Sequence, residues 1–267
     1  MRNSLPIILA ITLLSLPATA KDRPPIIEIF TYSGSSTCGP QTEDEFHNAD
    51  GSHKEGVEEN HDHKQEQANI TLENFKNIVN KNPDAIALNY YDNSFIPHEH
   101  DEFGNDIIDE NAITEPVDQK LMQFFQDRNY LYYRNDDFLD DFTNFEMVID
   151  GKYKTQGRRK NVVDTAINLG RIEQKIQPIK LAINGQNLQI ELPKSNTGKD
   201  LQVILFGYQK NAYNGPNTVK TFKTLNNWNG EKMQETVPID NKNLDGFAVL
   251  AQDQETAKIY AAGKVEK

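Results

Sequence analysis

The chain has 267 residues, with 28 Lys and Arg against 40 Asp and Glu, a formal net charge of -12 and one cysteine. That acidity argues against a nucleic-acid partner, which calls for cationic side chains to neutralise phosphates, and one cysteine excludes an internal disulfide. The charge is uneven: residues 21–151 hold 9 basic against 29 acidic side chains, a balance of -20, and residues 152–267 hold 18 against 11, a balance of +7. Such asymmetry points to a domain boundary or to two differently solvated faces.

The N-terminus reads as a signal peptide, residues 1–20: Arg2, an apolar run from Leu5 to Leu16, and the small-x-small ending Ala18-Thr19-Ala20. The run is short for a membrane span. Cleavage after Ala20 leaves an exported chain, periplasmic or secreted, with no stable membrane span.

The apolar β-branched run Ile26–Phe30 is predicted to be a buried strand. It breaks at Ser33-Gly34-Ser35-Ser36-Thr37-Cys38-Gly39-Pro40, and Thr42-Glu43-Asp44-Glu45 begins a helix. Cys38 then sits at a helix N-terminus, where unpaired N–H groups stabilise a thiolate. The polar, His-rich stretch of about 47–68 reads as an insertion. Helical periodicity resumes at Asn69, with Leu72, Phe75, Ile78 and Val79 on one face, and stops before Pro83.

A strand follows at Ala85–Tyr91, then an acidic loop of about 92–111, then a helix bearing Val117, Leu121, Phe124 and Phe125. Asp150-Gly151 is the signature of a tight hairpin between Phe145–Ile149 and Tyr153–Thr155. Asn161 is placed to cap a last helix carrying Val163, Ala166, Ile167 and Gly170. From Pro178 onward short alternating runs (179–183, 188–192, 201–208, 219–225, 235–239, 247–252 and 259–265) predict a β-sandwich, or a sheet layer packed on the first part. The resulting expectation is an α/β fold: a thioredoxin-like domain over 21–177 followed by a β-rich, sandwich-like domain over 178–267.

Glu28-Ile29-Phe30-Thr31 with Gly34, Ile86-Ala87-Leu88 leading to Tyr91-Asp92, Met147-Val148-Ile149-Asp150-Gly151, Asn227-Trp228-Asn229-Gly230, Val249-Leu250-Ala251-Gln252 and Ala261-Ala262-Gly263 occur in an order and spacing that resemble the exported thioredoxin-like proteins of the domain-of-unknown-function 1223 family. The resemblance spans nearly the whole chain after residue 20. It implies a thioredoxin-like domain plus a β-rich C-terminal part.

Two departures bear on function. Ser35 stands where the family pattern has its first cysteine, and dithiol exchange needs an attacking and a resolving thiol in one site. Asn144-Phe145 stands where thioredoxin-fold proteins place a cis-proline, and a cis bond at a non-proline costs about 3 kcal/mol. A shifted register, with Cys38-Gly39-Pro40-Gln41 in the place of a C-G-P-C motif, keeps an attacking thiol but lengthens the loop from the strand.

All six histidines fall within residues 47–100. His61-Asp62-His63 and His98-Glu99-His100 each place two imidazoles on one side of an extended segment, and zinc, copper or nickel accepts such ligands. Parallel pairing of 26–31 with 85–91 would bring the following loops to one edge, beside Cys38. The bland alternative is two solvated loops whose histidines never meet.

The sequence therefore supports a thioredoxin-fold protein with a degenerate Ser35-x-x-Cys38 motif. It binds a protein or small-molecule partner in the exported compartment and leans away from catalysis. Its rivals are a monothiol oxidoreductase acting through Cys38 and a loop-borne metal-binding protein using His61, His63, His98 and His100.

Overall fold

The computed structural model describes residues 23–32, 59–92, 98–100, 106–108, 118–134, 147–212, 214–239 and 243–267. Ser35 and Cys38, and Asn144 with Phe145, lie outside them. The architecture is mixed α/β, dominated by one large sheet with few helices.

In chain order the elements are β1 (Ile26–Tyr32), α1 (Glu59–Lys81), β2 (Ile86–Asp92), β3 (His98–His100), β4 (Asp106–Ile108), α2 (Gln119–Tyr133), β5 (Met147–Ile149), β6 (Tyr153–Thr155) and α3 (Lys160–Glu173). Then come β7 (Gln177–Pro178), β8 (Lys180–Asn184), β9 (Asn187–Leu192), β10 (Gln202–Ala212), β11 (Gly215–Thr224), β12 (Met233–Pro238), β13 (Gly246–Gln252) and β14 (Ile259–Glu266). The large sheet has nine strands in the order β6-β5-β1-β2-β11-β10-β13-β14-β7. β12-β9-β8 form a second sheet and β3-β4 a short hairpin. β1 and β2 run parallel, as the intervening helix allows, and β5 is antiparallel to β1.

Strand alternation assigns the two faces. Ile26 and Phe30 of β1, Leu88 and Tyr90 of β2, Ile204, Phe206 and Tyr208 of β10, and Leu250 of β13 form one core with Leu121, Met122, Phe125 and Leu131 of α2. Ile27, Ile29, Ala87, Met147 and Ile149 point the other way, against Phe75 and Ile78 of α1 and Val163, Ala166 and Ile167 of α3. On that same face, Val203, Leu205, Val249 and Ala251 pack against Leu188, Ile190 and Leu192 of β9 and Val237 of β12. α2 thus covers one face, while α1 with α3 and the three-stranded sheet divide the other. The strands on either side of residue 178 belong to one continuous hydrogen-bonded sheet.

The β5–β6 hairpin turns as its sequence predicts. Asp150 and Gly151 have φ of 55° and 71°, and the Lys152 N–H donates to the Ile149 carbonyl at 3.0 Å. Three local expectations are corrected. Helix α1 begins at Glu59 rather than Asn69. The run 59–68 has no apolar stripe but is rich in Glu, Gln and Lys, which favour helix without one. The cap of α3 is Arg159, with no side-chain hydrogen bond, rather than Asn161. The loop after β2 contains the β3–β4 hairpin.

Candidate functional site

The parallel pairing of β1 with β2, together with the β5–β6 hairpin, collects four chain ends at one edge of the sheet. Ile29 pairs with Asn89 of β2 and with Met147 of β5, which pairs with Thr155 of β6. The segment carrying Ser35 and Cys38 follows β1 directly from this edge, and the segment leading to His98 and His100 follows β2 from it.

The described residues of the edge are polar and tied together. Thr31 Oγ1 donates to Asn89 Oδ1 at 2.8 Å, and Asn89 Nδ2 donates to the Asn214 carbonyl at 2.9 Å. The turn before β11 is thereby anchored to β2. Gln126 Nε2 of α2 donates to Asp92 Oδ2 at 3.3 Å. Asn74 Nδ2 of α1 donates to the carbonyls of Gly157 and Arg158, fixing the loop that brings Arg158, Arg159 and Lys160 to the start of α3. Lys160 forms an ion pair with Asp164 one turn later.

Beneath this edge lies a buried charged network that the local sequence did not reveal. Glu28 of β1 is fully buried and Arg128 of α2 is 3% exposed. Arg128 Nε donates to Glu28 Oε1 at 2.6 Å, and Tyr90 OH donates to the same oxygen at 2.6 Å. Tyr132 OH donates to Glu28 Oε2. Arg128 Nη1 reaches Gln252 Oε1 of β13 at 2.8 Å, and Gln252 Nε2 donates to Tyr132 OH at 3.0 Å. The guanidinium carbon also lies 5.4–5.5 Å from the ring centroids of Tyr90, Tyr132 and Phe206.

Burial pushes the Tyr90 and Tyr132 hydroxyls well above their ordinary pKa, and the Glu28 charge adds to the effect. Both remain neutral donors. Burial works against the charge on Arg128, but Glu28 and the two phenol oxygens outweigh it and raise its pKa further. The network is enclosed and internally satisfied, so it positions β1 against α2 and β13. The one signal for it was a carboxylate at the centre of an apolar strand; its partner is 100 residues away.

The predicted ligands separate by element. His61 and His63 fall in the first turns of α1, which is a helix there and not an extended segment. His98 and His100 are alternate positions of β3, where the backbone is extended, and Asp106 is the cross-strand partner of His100. Among the described residues no group of three or more His, Cys, Asp or Glu side chains could hold a metal. Nor is any helix among them long and apolar enough to cross a membrane.

No protein-family model matches the chain, and no curated protein matches it. A crystal structure of protein AGR_C_4864 from Agrobacterium tumefaciens is similar to it over 94% of this chain and 96% of that one, with a TM-score of 0.56 and 16% sequence identity. At that identity the likeness concerns the fold: both halves of this chain have counterparts in a single polypeptide.

Proposed function

We propose that this chain is an exported, degenerate thioredoxin-like protein of the domain-of-unknown-function 1223 type. It works as a binding or interaction module at the carboxyl edge of β1 and β2 and does not catalyse dithiol exchange. The supporting observation is the strand order β6-β5-β1-β2, with β1 and β2 parallel, α1 and α3 on one face and α2 on the other. A thioredoxin-like core calls for this strand order and helix placement, which supports the reading. In such a core the segment leaving β1 carries the redox motif, and here that segment holds Ser35 and the chain's single cysteine, Cys38.

A serine hydroxyl neither attacks a disulfide nor resolves one, so no second thiol is available to complete the exchange. What the edge offers a partner is a polar surface that includes Thr31 and Asn74, anchored by the hydrogen bonds above, next to the basic start of α3. Insulin reduction driven by dithiothreitol tests the proposal. Purified protein lacking residues 1–20 should run at the rate of dithiothreitol alone, and Ser35→Cys should raise that rate. Thioredoxin-like turnover by the unaltered chain would overturn the reading.

A further inference from the structure

The chain contains three Asn-Gly dipeptides, at residues 184–185, 214–215 and 229–230. Such a pair can react with itself. The glycine amide nitrogen attacks the asparagine Cγ, its proton and the side-chain NH2 leave together as ammonia, and a five-membered succinimide remains. One water then adds across an imide C–N bond, giving aspartate, or isoaspartate where the original backbone bond opens. The reaction needs an amide N–H free of other hydrogen bonds, a side chain free to swing onto it and a backbone free to close the ring.

The fold treats the three pairs differently. Gly185-Gln186 is the two-residue loop between the paired residues Asn184 of β8 and Asn187 of β9. Gly185 has a φ of 60° and Gln186 stays out of the left-handed region, as in a type II′ turn, which calls for glycine first. Asn184, Gly185 and Gln186 are all exposed, and no atom lies within 4 Å of the place a Gly185 Cβ would take. The Gly185 N–H makes no backbone hydrogen bond, and the Asn184 side chain has no hydrogen-bond partner among the described residues.

At 214–215 the backbone is held on both sides. The Asn214 carbonyl accepts from Asn89 Nδ2 at 2.9 Å, Gly215 pairs with Ala212, and its carbonyl accepts from Thr218 Oγ1 at 2.9 Å. Leu72 Cδ1 and Asn89 Nδ2 wall in Gly215, at 2.7 and 2.9 Å from the place of its Cβ. At 229–230 the side chain is already engaged, since Asn229 Oδ1 accepts from the Glu231 N–H at 3.1 Å. Gly230 is buried, and its carbonyl accepts from the Ser195 N–H at 2.7 Å.

We propose that Asn184 is a site of spontaneous succinimide formation in the folded chain, with water as the second reactant, and that the fold protects Asn214 and Asn229. Aspartate there adds one negative charge to the tip of the β8–β9 hairpin. Isoaspartate adds the charge and one extra backbone carbon, at the pair that closes the turn.

Incubation of the native protein in mildly alkaline buffer made with heavy-oxygen water, then digestion in ordinary water and mass spectrometry, tests this. Position 184 should gain one heavy oxygen and yield both aspartyl and isoaspartyl peptides, about tenfold or more faster than positions 214 and 229. In concentrated urea the three should react at similar rates, because each asparagine then has the same unconstrained glycine neighbour. Native protein should also accumulate one acidic species on ion exchange, which Asn184→Gln should remove, with far-UV circular dichroism confirming that the variant is folded.

Reaction of Asn214 or Asn229 as fast as Asn184 in the native chain overturns the assignment. So does an Asn184 that reacts in urea but not in the native chain. Aspartate without isoaspartate would mean direct hydrolysis of the side-chain amide and overturns the succinimide route.

Discussion

Glu28 and Arg128 illustrate what a single pair of residues can decide. Each charge is out of water, and each is tolerated because the other, with Tyr90, Tyr132 and Gln252, supplies its hydrogen bonds. Removing one partner strands the other, so Arg128→Met should destabilise the chain by about 3–5 kcal/mol. Removing both at once, with Glu28→Leu added to Arg128→Met, leaves no buried charge and should recover a large part of that loss. Urea unfolding of the two single variants and the double variant measures the coupling. Losses that simply add would show that the pair is not energetically linked. The sequence displayed Glu28 inside an apolar strand and Arg128 inside an apolar helical stripe, but nothing local shows that two such residues face each other. Asp150, by contrast, was legible as a turn residue from its neighbour Gly151. Its second role was not: its carboxylate accepts from the Ile26 N–H at 2.8 Å and from Arg23 at 2.7 and 3.0 Å.

At the scale of elements, legibility followed periodicity. β1, β2, the β5–β6 hairpin, α2 and the C-terminal strands have apolar faces with the right repeat, and the structure places them close to their expected bounds. The first part of α1 has no such face, and its start was misplaced. The packing of α3 was hidden as well, because Gly170 looks like an ordinary weak point of a helix. An alanine there would normally gain about 1 kcal/mol in helix propensity. Here its Cβ would come within 2.1 Å of Asp150 Oδ2, an atom held by Arg23 and unable to swing aside. The Gly170 carbonyl also accepts from Arg23 at 2.5 Å. Steric conflict outweighs propensity, so Gly170→Ala should lower stability by about 1–3 kcal/mol, read as a fall in the thermal midpoint. A rise in that midpoint would show that α3 has room against the hairpin.

Across the whole molecule, the sequence suggested two parts because helices stop after α3 and the charge balance reverses near residue 152. It could not say whether the later strands build their own sheet, since alternation specifies faces and not partners. In the structure β11 joins β2 in parallel at Thr218 and Asn89, and β10 and β13 extend the sheet beyond it. α2 packs on strands from both sides of that seam, with Arg128 hydrogen-bonded to Gln252 and Phe124 stacked on Phe222 at a centroid distance of 3.9 Å. Separating the halves would expose Ile204, Phe206, Tyr208 and Leu250 together, each costing about 1.5–3 kcal/mol. Unfolding should therefore be one event. Two probes at opposite ends of the chain can check it: the described helices all lie between residues 59 and 173, and the single tryptophan, Trp228, is buried beneath the three-stranded sheet. Helical circular dichroism and Trp228 fluorescence should follow the same urea transition, with equal midpoints and slopes. A fluorescence transition displaced from the helical one would mean that the seam at β2 and β11 yields first and that the two parts are separate folding units.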